Sequence, residues 1–243
     1  MSNFSGWQAG TAALLALGLT SGTLAPLVSP APAFAQTVNY SDVPSDYWAK
    51  DFITELTKMG IIEGFPDGTF DPNRPVTRAQ FAAMLRRANA NYWEKPNINK
   101  IVTFTDVSAS YWAANAINSV TRTGFMRGYP GNIFRPEQNI PREQVFVSLA
   151  NGLRYRSTQE PSSVLSIYDD ASSISDYALA PIAAATVNQL VVNYPNVAKL
   201  DPNSNATRAE VAAAIYQALT RDGKAPAINS PYIVIPKPAA TSP

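Results

Sequence analysis

The sequence predicts a mainly α-helical fold in which three helix–turn–helix repeats pack around a shared centre. Two observations lead to this prediction. The same set of motifs occurs three times along the chain at an almost constant spacing, and each copy contains two segments whose apolar residues recur with helical periodicity. Because one helix pair cannot bury both of its faces, the three pairs are expected to pack against one another and form a common core.

Each repeat presents the same motifs in the same order. It begins with an aromatic residue followed two positions later by aspartate, as in Tyr40-Ser-Asp-Val and Phe104-Thr-Asp-Val. A Trp-Ala or Tyr-Ala pair comes next, then a Gly-aromatic-Pro or Asn-aromatic-Pro turn, and finally a Thr-Arg or Pro-Arg segment. By this alignment, repeats 1, 2 and 3 span about residues 40–88, 104–153 and 168–219.

The two helices of repeat 1 are predicted from apolar residues at helical spacing, with Gly60 as a natural stop for the first helix. The stripe of the first helix is Ala49, Phe52, Ile53, Leu56 and Met59. The stripe of the second helix is Phe81, Ala82, Leu85 and Ala88. Between them, "FPDGTFDP" combines a proline that restricts φ with an Asp-Gly pair suited to a tight reversal, so this segment is predicted to be a turn.

The second helix of each repeat has a recognisable start. Thr77 followed by Gln80, and Thr207 followed by Glu210, fit the capping box, in which a threonine hydroxyl accepts from the third helical amide. Repeat 2 has Pro141 at the threonine position, so it is expected to lack the hydroxyl cap, at a cost of about 1 kcal/mol. These segments therefore predict three helix N-termini of the same design.

An arginine stands at the first position of all three helices, namely Arg78, Arg142 and Arg208. A cation there faces the positive end of the helix macrodipole, which costs a few tenths of a kcal/mol. Its threefold recurrence therefore indicates a nearby anion. Two explanations remain open: an internal partner, Asp42 or Asp106, or a ligand carboxylate or phosphate bound by the guanidinium group and free helix amides.

Composition argues against catalysis and against nucleic acid as a partner. The chain contains no histidine and no cysteine, so the commonest general base, thiolate nucleophiles and most zinc sites are excluded. The net charge of +1 and the lack of a basic run give no reason to expect nucleic-acid binding. The segment from Asp201 resembles the start of a calcium loop but has Ala206 and Ala212 at two decisive positions, so no metal or other cofactor is expected.

The chain ends are predicted to lie outside the folded part. Residues 1–35 read as a secretory signal peptide, with a short apolar stretch and a small-x-small cleavage site at Ala33-Phe34-Ala35, although no Lys or Arg precedes the stretch. The alternative is an uncleaved N-terminal anchor. Residues 221–243 form a Pro-rich tail expected to be loosely ordered, and no transmembrane segment is expected in the mature chain. The two inter-repeat segments are predicted to be irregular connectors.

The ordered motifs resemble the S-layer homology (SLH) domain family over about residues 40–220, and "APAFAQ" is similar to the export signals of cyanobacterial envelope members. The resemblance implies a pseudo-threefold bundle whose grooves bind an acidic, typically pyruvylated, peptidoglycan-linked polysaccharide. It also implies the ligand residues by motif, grouped by repeat: Arg78, Gly64 and Trp48 in repeat 1, and Arg142, Gly128 and Trp112 in repeat 2. Repeat 3 keeps Arg208 but has Tyr177 and Asn193 for the other two, so it is expected to be structural or a weak binder.

The resulting prediction is an exported, non-catalytic anchoring module of the periplasm or cell envelope. A glycine in the turn would tolerate positive φ and allow a ligand to approach the backbone, whereas asparagine offers only the first. Trp48 and Trp112 could belong to the core or stack on a sugar. The alternative function is a scaffold that binds other envelope proteins without any glycan. An enzyme such as a wall hydrolase is the third possibility.

Overall fold

The computed structural model describes residues 39–93 and 101–236, so the predicted signal peptide lies outside the described residues. Within this part, the chain is mainly helical, as predicted. Its α-helices in chain order are α1 (Lys50–Lys58), α2 (Arg78–Ala88), α3 (Ala114–Arg122), α4 (Arg142–Leu153), α5 (Pro161–Leu165), α6 (Leu179–Val187) and α7 (Arg208–Arg221). The pairs α1/α2, α3/α4 and α6/α7 are the helix pairs predicted for the three repeats.

The described parts of the two connectors are more ordered than predicted. The first begins with a π-helical turn, Asn89–Trp93, that continues α2. The second contains α5, a short helix with a proline in its first turn, whose Val164 and Leu165 are buried in the core. The prediction of an irregular second connector is therefore wrong, because two apolar side chains in an otherwise polar segment are sufficient to dock it.

The apolar stripes meet in one core. Phe52, Ile53 and Leu56 of α1 and Phe81 and Leu85 of α2 are fully buried. The equivalent faces of the other repeats are buried with them: Ile117 and Val120 of α3, Val145 and Leu149 of α4, Ile182 of α6 and Ile215 and Tyr216 of α7. Burial of a Leu, Ile or Phe side chain stabilises a fold by about 1.5–3 kcal/mol, so this shared core is the main reason that the repeats remain together.

A closed triangle of backbone hydrogen bonds joins the three repeats at the start of their second helices. The Val76 amide donates to the Ala206 carbonyl at 2.9 Å, the Ala206 amide to the Ile140 carbonyl at 2.8 Å, and the Ile140 amide to the Val76 carbonyl at 2.9 Å. These three residues are equivalent in the repeats, each directly preceding a helix cap. The triangle therefore gives the bundle its approximate threefold axis.

The helix starts are built as predicted, with one difference. Thr77 and Thr207 form complete capping boxes, and Pro141 makes no side-chain cap. However, the first amide of each second helix is not free for an anion, because it donates to a carbonyl of the following repeat, counted cyclically. The pairs are Arg78 to Gln138 at 2.9 Å, Arg142 to Ser204 at 2.9 Å and Arg208 to Arg74 at 3.0 Å. The expectation of free helix amides is wrong, because ring closure uses them.

The described part of the segment after α7, which runs to residue 236, is ordered, so the expectation of a loose tail is wrong for this part; residues 237–243 lie outside the described residues. The Val234 amide donates to the Val191 carbonyl at 2.9 Å, and the Asn193 amide donates to the Tyr232 carbonyl at 2.9 Å. Two backbone bonds and the buried Val234 side chain therefore fix the segment against the turn of repeat 3. Among the described residues, no helix is both long and apolar enough to cross a membrane.

Candidate functional site

The arginines at the first positions of α2, α4 and α7 are buried, and each bonds to the following repeat. Only 4–7% of each residue is exposed. Each Nε donates to a carbonyl in the turn of the following repeat: Arg78 to Phe134 at 2.8 Å, Arg142 to Leu200 at 2.8 Å and Arg208 to Phe70 at 2.7 Å. The last of these bonds closes the ring from repeat 3 to repeat 1. A structural role for all three arginines follows directly.

The internal-partner explanation is wrong in its choice of partner. Asp106 accepts from the amides of Phe134 at 2.8 Å and Arg135 at 2.6 Å, and Asp42 accepts in the same way from Phe70 and Asp71. Burial would raise the pKa of Asp106, but the backbone amides, together with the nearby charge of Arg78, hold that pKa below its ordinary value. Each aspartate thus fixes the turn of its own repeat rather than neutralising an arginine by direct contact.

The far ends of the guanidinium groups differ between repeats. Arg142 forms an ion pair with Glu210, with Nη1 and Oε1 2.7 Å apart, and donates from Nη2 to the Asn193 side chain at 2.8 Å. Arg78 instead donates to uncharged groups, the Gln144 side-chain carbonyl and the Arg127 backbone carbonyl, both at 2.8 Å. The charge of Arg142 is therefore compensated inside the protein, whereas the charge of Arg78 is not paired with an anion in the described residues.

Burial also lowers the pKa of Arg78 and of Arg208. Arg208 donates from Nη2 to the Glu63 backbone carbonyl at 2.8 Å, and no ion pair involves Arg208 within the described part of the chain. A nearby anion would offset this desolvation, because an opposite charge favours the protonated guanidinium.

The proline at the start of α4 explains why Gln144 reaches Arg78. In a capping box the third residue accepts from the amide of the cap, as Gln80 does from Thr77 at 3.0 Å. Pro141 has no amide hydrogen, so the Gln144 side chain is not held there and bonds to Arg78 instead. The proline that weakens the cap therefore also supplies a polar group to the site.

The turn glycines are required by packing rather than by backbone conformation. Neither Gly64 nor Gly128 has a positive φ. A Cβ at Gly64 would overlap the ring of Tyr40, and one at Gly128 would overlap the ring of Phe104. The argument from positive φ is therefore wrong for these two positions. The group that approaches each glycine closely is an aromatic side chain of the same repeat.

A groove of about 490 Å³ runs beside Arg78. It is bounded by the turn of repeat 2 (Gly128 and Tyr129), by α4 (Gln144 and Ser148) and by Tyr177 of repeat 3. This Arg78 groove therefore combines an arginine, a turn and an aromatic residue from three different repeats. The candidate residues of one repeat therefore lie in different grooves, because each arginine reaches forward to the next repeat.

The Arg142 groove, related by the threefold arrangement, is covered. Arg142 faces Asn193 of repeat 3, and the Trp48 ring stacks on Tyr194 with centroids 5.3 Å apart. The ring of Tyr232, from the C-terminal segment, lies edge-on to Tyr194 at 4.9 Å and to Trp48 at 6.4 Å. Aromatic and backbone contacts of the protein itself therefore cover the turn of repeat 3 and Trp48.

The Arg208 groove contains the turn of repeat 1. The Arg208 guanidinium lies over the Phe65 ring at 5.0 Å, next to Gly64. By the repeat symmetry, Trp112 of repeat 2 corresponds to Tyr177 of repeat 3, which lines the Arg78 groove. Trp112 is 62% exposed, so its interpretation as a core residue is wrong. Trp48 is only partly exposed, within the aromatic cluster at the C-terminal segment.

Several groove residues were not predicted from the sequence. Tyr129, Gln144 and Ser148 line the Arg78 groove, and the Ser148 hydroxyl is buried without a hydrogen-bond partner in the described residues. The Tyr177 hydroxyl donates to Glu143 at 2.6 Å, and burial together with this bond raises the pKa of Tyr177. The sequence contained one signal for these residues. Pro141 replaces the capping threonine only in repeat 2, and a proline has no amide hydrogen to hold the Gln144 side chain.

Comparison with known proteins identifies the family of the three repeats. A family model described as the S-layer homology domain matches residues 39–82, 103–146 and 167–212. The chain belongs to the S-layer homology domain family. SLH domains are non-catalytic modules for attachment at the cell surface, so the family assigns this class of domain to the chain.

Similar proteins include both surface proteins and enzymes. The chain is 34% identical over 192 residues to an amylopullulanase of Thermoanaerobacterium thermosulfurigenes, covering 79% of this chain and 10% of the relative. It is 32% identical over 114 residues to a cellulosome-anchoring protein of Acetivibrio thermocellus, covering 44% and 24%. An S-layer protein of Bacillus licheniformis is 29% identical over 203 residues, covering 83% and 22%. The chain thus spans less than a quarter of the length of each of these three proteins.

Proposed function

We propose that the protein is a non-catalytic anchoring module of the periplasm or cell envelope that binds an acidic, peptidoglycan-linked polysaccharide. The observation that carries the proposal is Arg78, a buried cation at the side of a 490 Å³ groove whose direct hydrogen-bond partners are all uncharged. A carboxylate in the groove would compensate this charge in a desolvated setting, where charge-assisted hydrogen bonds are strongest. A pyruvate ketal is a sugar substituent that supplies such a carboxylate.

The groove also offers the contacts that a sugar ring uses. The Tyr177 side chain is 56% exposed and can pack on the apolar face of a pyranose. Gly128 is exposed at the groove surface, so the turn backbone is accessible to a ligand there. The other candidates, Arg142, Arg208, Gly64, Trp48 and Trp112, occupy the corresponding motif positions in the two related grooves.

The proposal uses the arginines in two ways that are compatible. Nε of each arginine holds the neighbouring repeat. Each outer nitrogen of Arg78 donates one hydrogen bond, to Gln144 and to the Arg127 carbonyl, and has a second N–H group that a ligand could use. Two relatives, a cellulosome-anchoring protein and an S-layer protein, support a surface role for this domain type.

The second candidate function is a scaffold that binds another envelope protein. The exposed Trp112 ring favours it, because exposed aromatic side chains are enriched at protein interfaces. The two functions differ in their dependence on the acidic groups of the glycan.

Co-sedimentation with purified sacculi from the producing cells tests the proposal. The full-length protein is mixed with intact sacculi, with sacculi whose carboxylates have been amidated, and with sacculi stripped of the attached polysaccharide. We expect the protein to pellet only with the intact material. Equal pelleting with intact and amidated sacculi would contradict the proposal, and pelleting that requires an added envelope protein extract would favour the scaffold.

A further inference from the structure

We infer that the acidic glycan binds in only one of the three grooves, the Arg78 groove, and that Arg127, Arg135 and Ser148 extend its binding site. This inference rests on the proposed function and specifies its site and charge selection. The repeat motifs make the three grooves equivalent in sequence, but the grooves differ in three ways. These are the internal compensation of the arginine, the charge of the turn beside it, and the polar groups on the helix wall.

The Arg142 groove is excluded by the protein's own groups. Glu210 already supplies the anion for Arg142 at 2.7 Å, and Asn193 accepts from its other outer nitrogen at 2.8 Å. A ligand carboxylate would meet Glu210 as a like charge, which is unfavourable in a partly desolvated site. The bonds of the C-terminal segment to Val191 and Asn193 also cover the turn that would face the ligand.

The Arg208 groove is disfavoured by the charges of its turn. Glu63 and Asp71 lie in the turn of repeat 1, with side chains 69% and 54% exposed. Each is close to an exposed arginine, Glu63 to Arg87 at 2.6 Å and Asp71 to Arg74 at 3.5 Å. The rim of this groove is therefore made of neutralised pairs, which give no net attraction for an anionic sugar.

The Arg78 groove has the opposite charge pattern. Arg127 and Arg135 occupy the positions of Glu63 and Asp71 in the turn of repeat 2, and both are exposed. In the part of the chain that the structure describes, neither forms an ion pair. Of the three turns, this one alone therefore presents unpaired positive charge at both positions.

Arg135 and Arg78 also lie close to one another. Their guanidinium carbons are 4.5 and 4.8 Å from the centroid of the same Tyr129 ring. Two cations held on one aromatic ring repel each other, and Arg135 is one of the groups that lower the pKa of Arg78, after burial. An anion bound between the turn and α4 would relieve this repulsion. In the Arg208 groove, Arg74 and Arg208 share the Phe65 ring in the same way, but Arg74 is already paired with Asp71.

Ser148 supplies an independent indication of a ligand. Its hydroxyl is buried, has no hydrogen-bond partner in the described residues and belongs to the wall of the Arg78 groove. A buried hydroxyl without a partner is costly, and a sugar hydroxyl or acetamide group could satisfy it. The equivalent residues are Met84 in α2 and Ala214 in α7, so this polar group occurs on only one of the three groove walls.

The decisive variant is Gln144→Glu, measured by titrating purified sacculi with the full-length protein. The change is nearly isosteric and places a carboxylate on Arg78, as Glu210 does on Arg142, while every inter-repeat bond of Arg78 is kept. We expect at least tenfold weaker binding, with a thermal unfolding temperature no lower than that of the original protein. The matched control is Gln80→Glu, the same substitution in α2 next to the Arg208 groove, which should leave the affinity unchanged.

The rim is tested by exchanging the charges of repeat 2 for those of repeat 1, as Arg127→Glu/Arg135→Asp. Arg135 has a φ of 57° and Asp71 a φ of 61°, so aspartate occupies this backbone conformation in the same protein. We expect roughly tenfold weaker binding and a flatter dependence of affinity on salt, because two screened charges change sign near the anion. Ser148→Ala should weaken binding by roughly fivefold without changing the salt dependence.

Three results would overturn the inference: Gln80→Glu weakening binding as much as Gln144→Glu, Gln144→Glu leaving the affinity intact, or the rim variant keeping the original affinity and salt dependence. These results are distinct from failure of the proposed function, in which the unmodified protein would pellet equally well with intact and amidated sacculi.

Discussion

The substitution Arg142→Leu tests whether the N-terminal arginines hold the ring of repeats together. It removes the bond to the Leu200 carbonyl, the bond to Asn193 and the ion pair with Glu210. Hydrogen bonds to charged groups contribute about 1.5–3 kcal/mol each, but such contributions are not additive. Glu210 is 23% exposed and regains some hydration when its partner is lost.

These considerations place the loss for Arg142→Leu near the cost of breaking a buried ion pair, about 3–5 kcal/mol. For a domain of this size, 1 kcal/mol shifts the unfolding temperature by about 2–4 °C, so the variant should unfold roughly 10 °C lower. Urea is the preferred denaturant because it does not screen charges, and far-UV circular dichroism follows the helices directly. The free energy of unfolding is the quantity to compare.

Arg74→Leu is the matched control for this measurement. Arg74 is 52% exposed and lies 3.5 Å from Asp71, so its ion pair should contribute less than about 1 kcal/mol. Its backbone carbonyl, which accepts from the Arg208 amide, is unaffected by the substitution. If Arg142→Leu and Arg74→Leu lowered the free energy of unfolding equally, the inference that buried arginines close the ring would be refuted.

Three further predictions concern the turns and the C-terminal segment. Gly128→Ala should destabilise the protein by about 2 kcal/mol in urea, since the added Cβ overlaps the Phe104 ring; an unchanged midpoint would show that the ring moves freely. Tyr232→Ala should shift tryptophan emission to longer wavelength, because it uncovers Trp48; the absence of a shift would contradict the covering role of the segment. Asp106→Asn should lower the free energy of unfolding by about 1 kcal/mol near pH 7, and the difference from the original protein should disappear in acid.

The sign of the last prediction follows from the lowered pKa of Asp106. A carboxylate whose pKa is lower in the folded than in the unfolded state stabilises the fold above its unfolded pKa of about 3.9, and this contribution is lost as the pH falls through the folded value. Urea unfolding of both proteins near pH 7 and below about pH 3 is the corresponding measurement. A constant difference between them would exclude the proposed role of the ionised carboxylate.

Local sequence patterns determined the helices and their boundaries. Two kinds of pattern depend only on residues that are close in sequence, so they could be recognised without the rest of the chain. They are the apolar stripe of Phe52, Ile53 and Leu56 and the capping boxes at Thr77 and Thr207. The threefold recurrence of the motifs likewise identified the family. The order in the C-terminal segment could not be foreseen, because it depends on docking a few apolar residues on a surface formed by other repeats.

Only the tertiary structure decided which groups form a site. The guanidinium group of Arg208 contacts the carbonyl of Phe70, 138 residues earlier in the chain, and Arg78 meets the turn of repeat 2 beside Tyr177 of repeat 3. Sequence motifs indicated that these residues mattered but grouped them by repeat, since neighbours along the chain are the only neighbours that a sequence shows. The forward reach of each arginine is a consequence of ring closure, and the protein has a ring only when all three repeats are folded.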